Sequence, residues 1–227
     1  MTRPLAALLL ILATLAAAVP AAAQTPVASP APGGFVLVAT IEADAWVEPL
    51  PEAMPGVDLG DRTLLERLRE GGFVIYFRHA ATDTAADQNV DLQYCSTQRN
   101  LSQLGKDQAA EIGVAFEALE IPVGEVRSSE FCRAKETAEL AFGRVEVDSD
   151  LTPLPEDSAE EKAAKTEAFA GLLSTPPEPG TNRVIVGHQS NIASVLPDLE
   201  LAEGEAAVFG PVQPAHDGFM RGKFSSV

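Results

Sequence analysis

The sequence predicts a three-layer α/β/α domain around a mostly parallel central sheet, and three observations carry that prediction. Phe73, Val74, Ile75, Tyr76 and Phe77 form an unbroken apolar run behind Gly71 and Gly72, and it ends in Arg78 and His79. Residues 183–187 repeat the pattern and end in His188. Around these two runs, segments of helical periodicity alternate with further strand candidates, as they do when βα units feed a parallel sheet. A continuous apolar run reads as a strand covered on both faces. Open α/β sheets bind ligands at the carboxyl ends of such strands, which is where Arg78, His79 and His188 stand.

The elements follow in order. Residues 1–23 carry one base, Arg3, an apolar run from Leu5 to Val19, and then Pro20 and three alanines. This reads as a secretory signal peptide cleaved after Ala23, giving a periplasmic or secreted protein. The competing reading is a retained anchor, but the run falls short of the roughly 20 residues that span a bilayer. Residues 24–34, rich in Pro, Ala and Gly, read as a flexible linker. Residues 35–227 then form one domain with a short N-terminal arm, roughly 200 residues being ample for a single core.

Within the domain, residues 35–41 are a strand candidate and the Pro-punctuated residues 48–55 a surface loop. Asp61 is the expected N-cap of a short helix with Leu64, Leu65 and Leu68 inward and Gly71 at its end. Residues 82–100 are polar and too long for an ordinary turn, which marks a functional loop. Ser102 caps a helix whose Ala109, Ile112, Phe116 and Leu119 share a face. Residues 124–128 are a weaker strand. Ser129 is the expected cap of the next helix, which has Arg133 in its first turn and Ala134, Ala138 and Ala141 inward. Residues 145–147 are a short strand, and the acid-rich residues 156–173 an exposed helix before Pro176 and Pro177. A short helix over 191–196 follows His188, and residues 206–209 and 218–224 are closing strands.

Composition narrows the partners. The 227 residues hold 16 Lys+Arg against 33 Asp+Glu, a formal net charge of −17. Such a surface repels nucleic acid and anionic membranes, so neither is an expected partner, nor is stable membrane insertion after leader cleavage. Cys95 and Cys132 are the two cysteines. In an oxidising compartment they can pair; the alternative is two buried free thiols, because spacing alone does not bring their Cα atoms within bonding range. His216 has no strand end or partner signature and reads as loop, and Trp46 reads as core. No spacing suggests a metal site, and no cofactor is expected.

Two of the three histidines end buried strands, and with Arg78 and Arg133 they can converge over one sheet edge. That cluster is electropositive within an acidic chain, which suits a small, deeply held anion. Three motifs then resemble the histidine phosphatase (phosphoglycerate mutase-like) superfamily: Arg78-His79-Ala80-Ala81-Thr82, residues 129–138 with Ser129, Arg133 and Thr137, and Val186-Gly187-His188. The segment from Arg99 through Ser102 and Gly105 to Gln108 is similar to that family's turn into its first long helix. The likeness spans roughly residue 64 to the end and suggests a small exported bacterial branch.

The resemblance implies that His79 is a nucleophile forming a phosphohistidine, with its other ring nitrogen held by a backbone carbonyl. Arg78, Arg133 and His188 would bind the transferring phosphoryl oxygens, and Thr82, Arg99 and Gln189 would help bind substrate. The sequence departs from the family pattern at Ala80 and Gln189, where glycine is common, and at Ala81, where an acid is frequent. A general acid is the weakest part of the pattern, with Glu156, Asp157 and Asp83 as the candidates. The expected protein is an exported phosphatase of histidine acid phosphatase type, acting on a small phosphorylated or envelope-associated ester. The alternatives are a catalytically weak or inactive phosphate- or partner-binding domain, then a phosphohistidine protein phosphatase or phosphoglycerate mutase. The sequence carries no signal for oligomeric state.

Overall fold

The computed structural model describes residues 35–211, apart from residues 56, 85, 86 and 88. Strand candidate 218–224, His216 and the leader and linker lie outside the described residues. The elements are β1 (Phe35–Ile41), α1 (Leu64–Glu70), β2 (Val74–Arg78), α2 (Gln103–Ala118), β3 (Val123–Ser128), α3 (Cys132–Phe142), β4 (Glu146–Val147), α4 (Ala159–Ser174), β5 (Asn182–Gly187), α5 (Gln189–Val195) and β6 (Ala206–Pro211). The sheet runs β1-β6-β2-β5-β3-β4. β2, β5, β3 and β4 pair in parallel, while β6 is antiparallel to both β1 and β2.

The two core strands show why their central sequences are apolar. Ile75 and Phe77 of β2, with Val184 and Val186 of β5, pack with α1, α2 and α3 on one side. Val74, Tyr76 and Ile185 face α4 and α5 on the other. With helices on both faces, the side-chain alternation of a strand keeps its central positions apolar, and the buried polar residues of β5, Asn182 and Arg183, stand at its start, where both are hydrogen-bonded. Each fully buried Ile or Phe contributes about 1.5–3 kcal/mol of transfer free energy. The three-layer architecture and the mostly parallel sheet thus follow the sequence-based expectation.

Local signals held less uniformly. Thr63, and not Asp61, caps α1: its Oγ1 accepts from the Glu66 N–H at 3.2 Å while the Glu66 carboxylate accepts from the Thr63 N–H at 2.7 Å. This reciprocal capping box satisfies two orphan donors, which Asp61, two residues too early, cannot do. Ser102 caps α2 as expected, and Ser158 with Glu161 caps α4, which starts later than the acid-rich segment suggests and buries Phe169 and Leu173. α2 comes close to the loop after β2 at Gly105, where an added Cβ would lie 1.9 Å from the Ala81 carbonyl oxygen. Only glycine permits that approach. Among the described residues, no helix is long and apolar enough to cross a membrane.

Candidate active site

Register brings the two histidines together. β2 and β5 are parallel, and Arg78 is paired with Gly187, so His79 and His188 leave the sheet side by side with ring centroids 5.4 Å apart. Several buried contacts fix the backbone here. The Tyr76 hydroxyl donates to the His188 carbonyl at 2.7 Å, and the His188 N–H donates to Asn191 Oδ1 at 2.8 Å. The His79 N–H donates to the Gly187 carbonyl at 3.0 Å. Ala80 N–H donates to Thr137 Oγ1 at 3.1 Å, tying the loop after β2 to α3.

His79 is only 2% exposed, and its Nδ1 lies 2.9 Å from the Ala80 carbonyl. A carbonyl can only accept, so Nδ1 carries the proton and Nε2 keeps its lone pair. Burial lowers the His79 pKa to about 4; the Ala80 carbonyl and Glu203 oppose the shift, and the Arg133 and Arg78 cations reinforce it. The ring is therefore a neutral, oriented base at ordinary pH. His188 is also held neutral, by burial first and by Arg133 next.

Arg133 enters from the first turn of α3, 6% exposed, with its guanidinium carbon 4.2 Å from the Phe131 ring centre. Its Nη1 donates to Asp87 Oδ1 at 3.2 Å and to the Arg99 carbonyl at 3.3 Å, and its Nη2 lies 3.5 Å from His188 Nδ1. Burial lowers its pKa and Asp87 counters this. Arg78 donates through Nη1 to the Leu201 carbonyl at 2.7 Å. The Nε–H groups of both Arg78 and Arg133 are buried without a hydrogen-bond partner among the described residues. Buried guanidinium donors without acceptors are the feature an oxyanion would complete.

Ser129 does not cap α3, whose first residue, Cys132, follows Phe131. Its Oγ lies 2.6 Å from His188 Nε2 and accepts from the Phe131 N–H at 3.2 Å. Arg133 Nη2 can only donate, so His188 Nδ1 is the acceptor facing it, and we assign the His188 proton to Nε2, which donates to the second lone pair of the Ser129 hydroxyl. Sequence alone does not separate the two roles, because a serine just before a helix looks like a cap whatever its side chain meets. Beside it, Cys95 and Cys132 form a disulfide, with Cα atoms 5.7 Å apart, that ties loop 82–100 to the start of α3. The Cys132 N–H also donates to Gln98 Oε1 at 2.8 Å.

Residues 74–162 match the family model described as histidine phosphatase superfamily (branch 1). Over that stretch the chain is similar to the histidine phosphatase superfamily. The matched stretch contains Arg78, His79 and Arg133, and His188 lies beyond it. No curated protein matches the sequence. Among solved structures, a protein from Thermus thermophilus is 19% identical over 60% of this chain and 92% of its own, with a TM-score of 0.43. A candidate alpha-ribazole-5'-P phosphatase from Escherichia coli is 18% identical over 60% and 90%, with a TM-score of 0.45. A phosphoserine phosphatase from Entamoeba histolytica, in complex with 3-phosphoglyceric acid, is 17% identical over 62% and 93%, at 0.44.

The other sequence-based candidates fall in several places. Thr82 and Arg99 stand at the cluster, both turned toward Glu203: Thr82 donates to its carboxylate through N–H and Oγ1 at 2.9 and 2.8 Å, and Arg99 Nη2 lies 3.7 Å from it. Gln189 is turned away, its amide donating to the Leu199 carbonyl at 2.8 Å and accepting from the Leu201 N–H at 3.0 Å. Asp157 pairs with Lys165 at 2.8 Å and accepts from the Leu154 N–H, while Glu156 and Asp83 are exposed. Among the described residues, none of these three carboxylates contacts Arg78, His79, Arg133 or His188. Sequence reasoning missed Asp87 and Glu203, the two carboxylates that do reach the arginines.

Burial of neutral His79 couples stability to pH. Its folded pKa, about 4, lies below the ordinary 6.5, so the unfolded chain binds the proton first. The stabilisation is present above the unfolded pKa and is lost as pH falls from about 6.5 through about 4. Urea unfolding followed across that window is expected to show stability falling with pH, with a shallower slope in His79→Asn. A slope identical in both proteins would contradict a neutral buried His79.

Proposed function

We propose that the protein is an exported phosphomonoesterase of histidine acid phosphatase type, working through a covalent phosphohistidine on a small or envelope-associated phosphate ester. The observation that carries this reading is the pairing of an oriented imidazole with unsatisfied cationic donors. His79 Nδ1 is anchored on the Ala80 carbonyl at 2.9 Å, and the Arg78 and Arg133 Nε–H groups are buried without acceptors.

In the first step, His79 Nε2 attacks phosphorus in line and the ester oxygen leaves. Charge on the equatorial oxygens is met by the forks of Arg78 and Arg133, with His188 on the facing wall, all fixed before substrate arrives. In the second, water displaces the phosphoryl group and restores His79. Thr82 and Arg99 line the approach, and Gln189 supports it through the Leu199–Leu201 backbone. No cofactor takes part in these steps. Export is supported by the leader-like residues 1–23 and by the Cys95–Cys132 disulfide, since such bonds persist in oxidising compartments. One domain over 35–227 would carry the whole site.

Protein beginning at Gln24 is expected to release phosphate from 4-nitrophenyl phosphate and from at least one alkyl phosphate. Binding of phosphate or vanadate with no turnover on either class would sink the enzyme reading and favour a phosphate-binding domain.

A further inference from the structure

The chemistry above needs a proton for the leaving oxygen, and the fold delivers one carboxylate to the nucleophile. β6 runs antiparallel beside β2 and begins at Ala206 opposite Phe77, so the turn leading into it crosses the carboxyl end of β2. The Arg78 N–H donates to the Glu205 carbonyl at 3.1 Å, and the Gly204 N–H donates to the carbonyls of Arg78 and His79 at 3.2 and 3.0 Å. Glu203, one residue earlier, is thereby fixed against the backbone of His79 itself. Its side chain is fixed as well, by the two bonds from Thr82 and by Arg78 Nη2 at 3.6 Å and Arg99 Nη2 at 3.7 Å. Gln108 Nε2 donates to the Glu203 carbonyl at 3.3 Å. At 23% exposure the carboxylate still reaches solvent, from which it can exchange protons.

We propose that Glu203 is the proton carrier of the reaction, giving its proton to the leaving oxygen and taking one back from the attacking water. The inference rests on the phosphatase reading. In the first step the Nε2–P bond forms, the P–O ester bond breaks with its electron pair going to oxygen, and that oxygen takes the Glu203 proton to become the alcohol. In the second, the water oxygen bonds to phosphorus, its proton passes to Glu203, and the N–P pair returns to Nε2 as phosphate leaves. Ester and water become alcohol and phosphate, with Glu203 and His79 restored.

The groups around Glu203 set its resting protonation. Burial pushes its carboxyl up, but the Thr82 hydrogen bonds and the facing His79 and Arg78 outweigh burial and keep it below the usual range. A bound phosphoryl dianion neutralises the facing Arg78, Arg99 and Arg133 cations and adds like charge beside the carboxylate, and both effects favour the protonated form.

Glu203→Gln tests the assignment, because Gln keeps an oxygen for the Thr82 N–H and removes the titratable proton together with the charge facing Arg78 and Arg99. Single-turnover release of alcohol from glycerol phosphate is expected to slow by about 100-fold or more, the scale of general acid catalysis. Nitrophenolate is a good leaving group that needs no proton, so its first-turnover burst from 4-nitrophenyl phosphate stays within roughly threefold of wild type. That burst is followed by slow turnover, because the water step has lost its base. Equal losses on both substrates in a variant with unchanged melting would assign Glu203 to holding Thr82 and Arg78 and overturn the proposal. An undiminished alkyl rate would overturn it too. Wild-type protein inert toward both esters would overturn the phosphatase reading and this assignment together.

Discussion

His79→Ala is expected to reduce hydrolysis of every phosphate ester by roughly 10⁴-fold or more, the scale on which deletion of a covalent nucleophile acts. The expectation rests on the separation of roles around the ring. Nδ1 is committed to the Ala80 carbonyl, so chemistry is left to Nε2, and no neighbour can substitute: the His188 Nε2 is held by Ser129 at 2.6 Å. Anion binding does not depend on that nitrogen. Arg78, Arg133 and His188 sit on three other anchors, so the variant should bind phosphate or vanadate within about tenfold of wild type. Calorimetric titration beside a phosphate-release assay separates the two effects. Loss of binding in parallel with activity would mean that His79 is a wall of the site and not its nucleophile.

Arg133→Lys is expected to lower turnover by about 100- to 1,000-fold, the range found when one preorganised donor to transition-state charge is removed. The charge survives this substitution; the geometry does not. Arg133 reaches Asp87 and the Arg99 carbonyl through Nη1, approaches His188 Nδ1 through Nη2 and stacks on Phe131, leaving Nε–H for a ligand. A lysine ammonium is a single point that cannot hold two phosphoryl oxygens and an anchoring carboxylate in one plane. Melting should stay close to wild type, since the core beneath α3 is made by Ala134 and Ala138. Steady-state kinetics on one aryl phosphate suffices, and a loss under tenfold would assign the phosphoryl contacts elsewhere.

Much of this site was legible because burial and register write themselves into sequence. β2 and β5 lie between helix layers, so the middles of both strands are apolar on both faces, and Arg78 and His188 mark where those apolar runs end. Arg133 was legible because it lies in the first turn of a helix that follows a strand. Caps were read less well: Asp61 and Ser129 have the right chemistry for a cap, and only the fold shows Thr63 in that role and Ser129 beside His188. Glu203 was hidden for two physical reasons. It is one of 33 acids in the chain, and it reaches His79 only because β6 inserts antiparallel next to β2. The sequence foretells β6 as a strand but not its neighbour. The turn signal after Glu203, Gly204 at φ +84°, becomes informative once that neighbour is known.

The central claim is a phosphoryl group carried on His79, and the direct measurement is to trap it. Wild-type protein quenched in alkali during turnover of 4-nitrophenyl phosphate should carry an acid-labile phosphoryl group that maps to His79 Nε2, formed at the rate of the nitrophenolate burst and absent from His79→Ala. Turnover with no phosphoryl-protein, or a phosphoryl group on any other residue, would contradict the account.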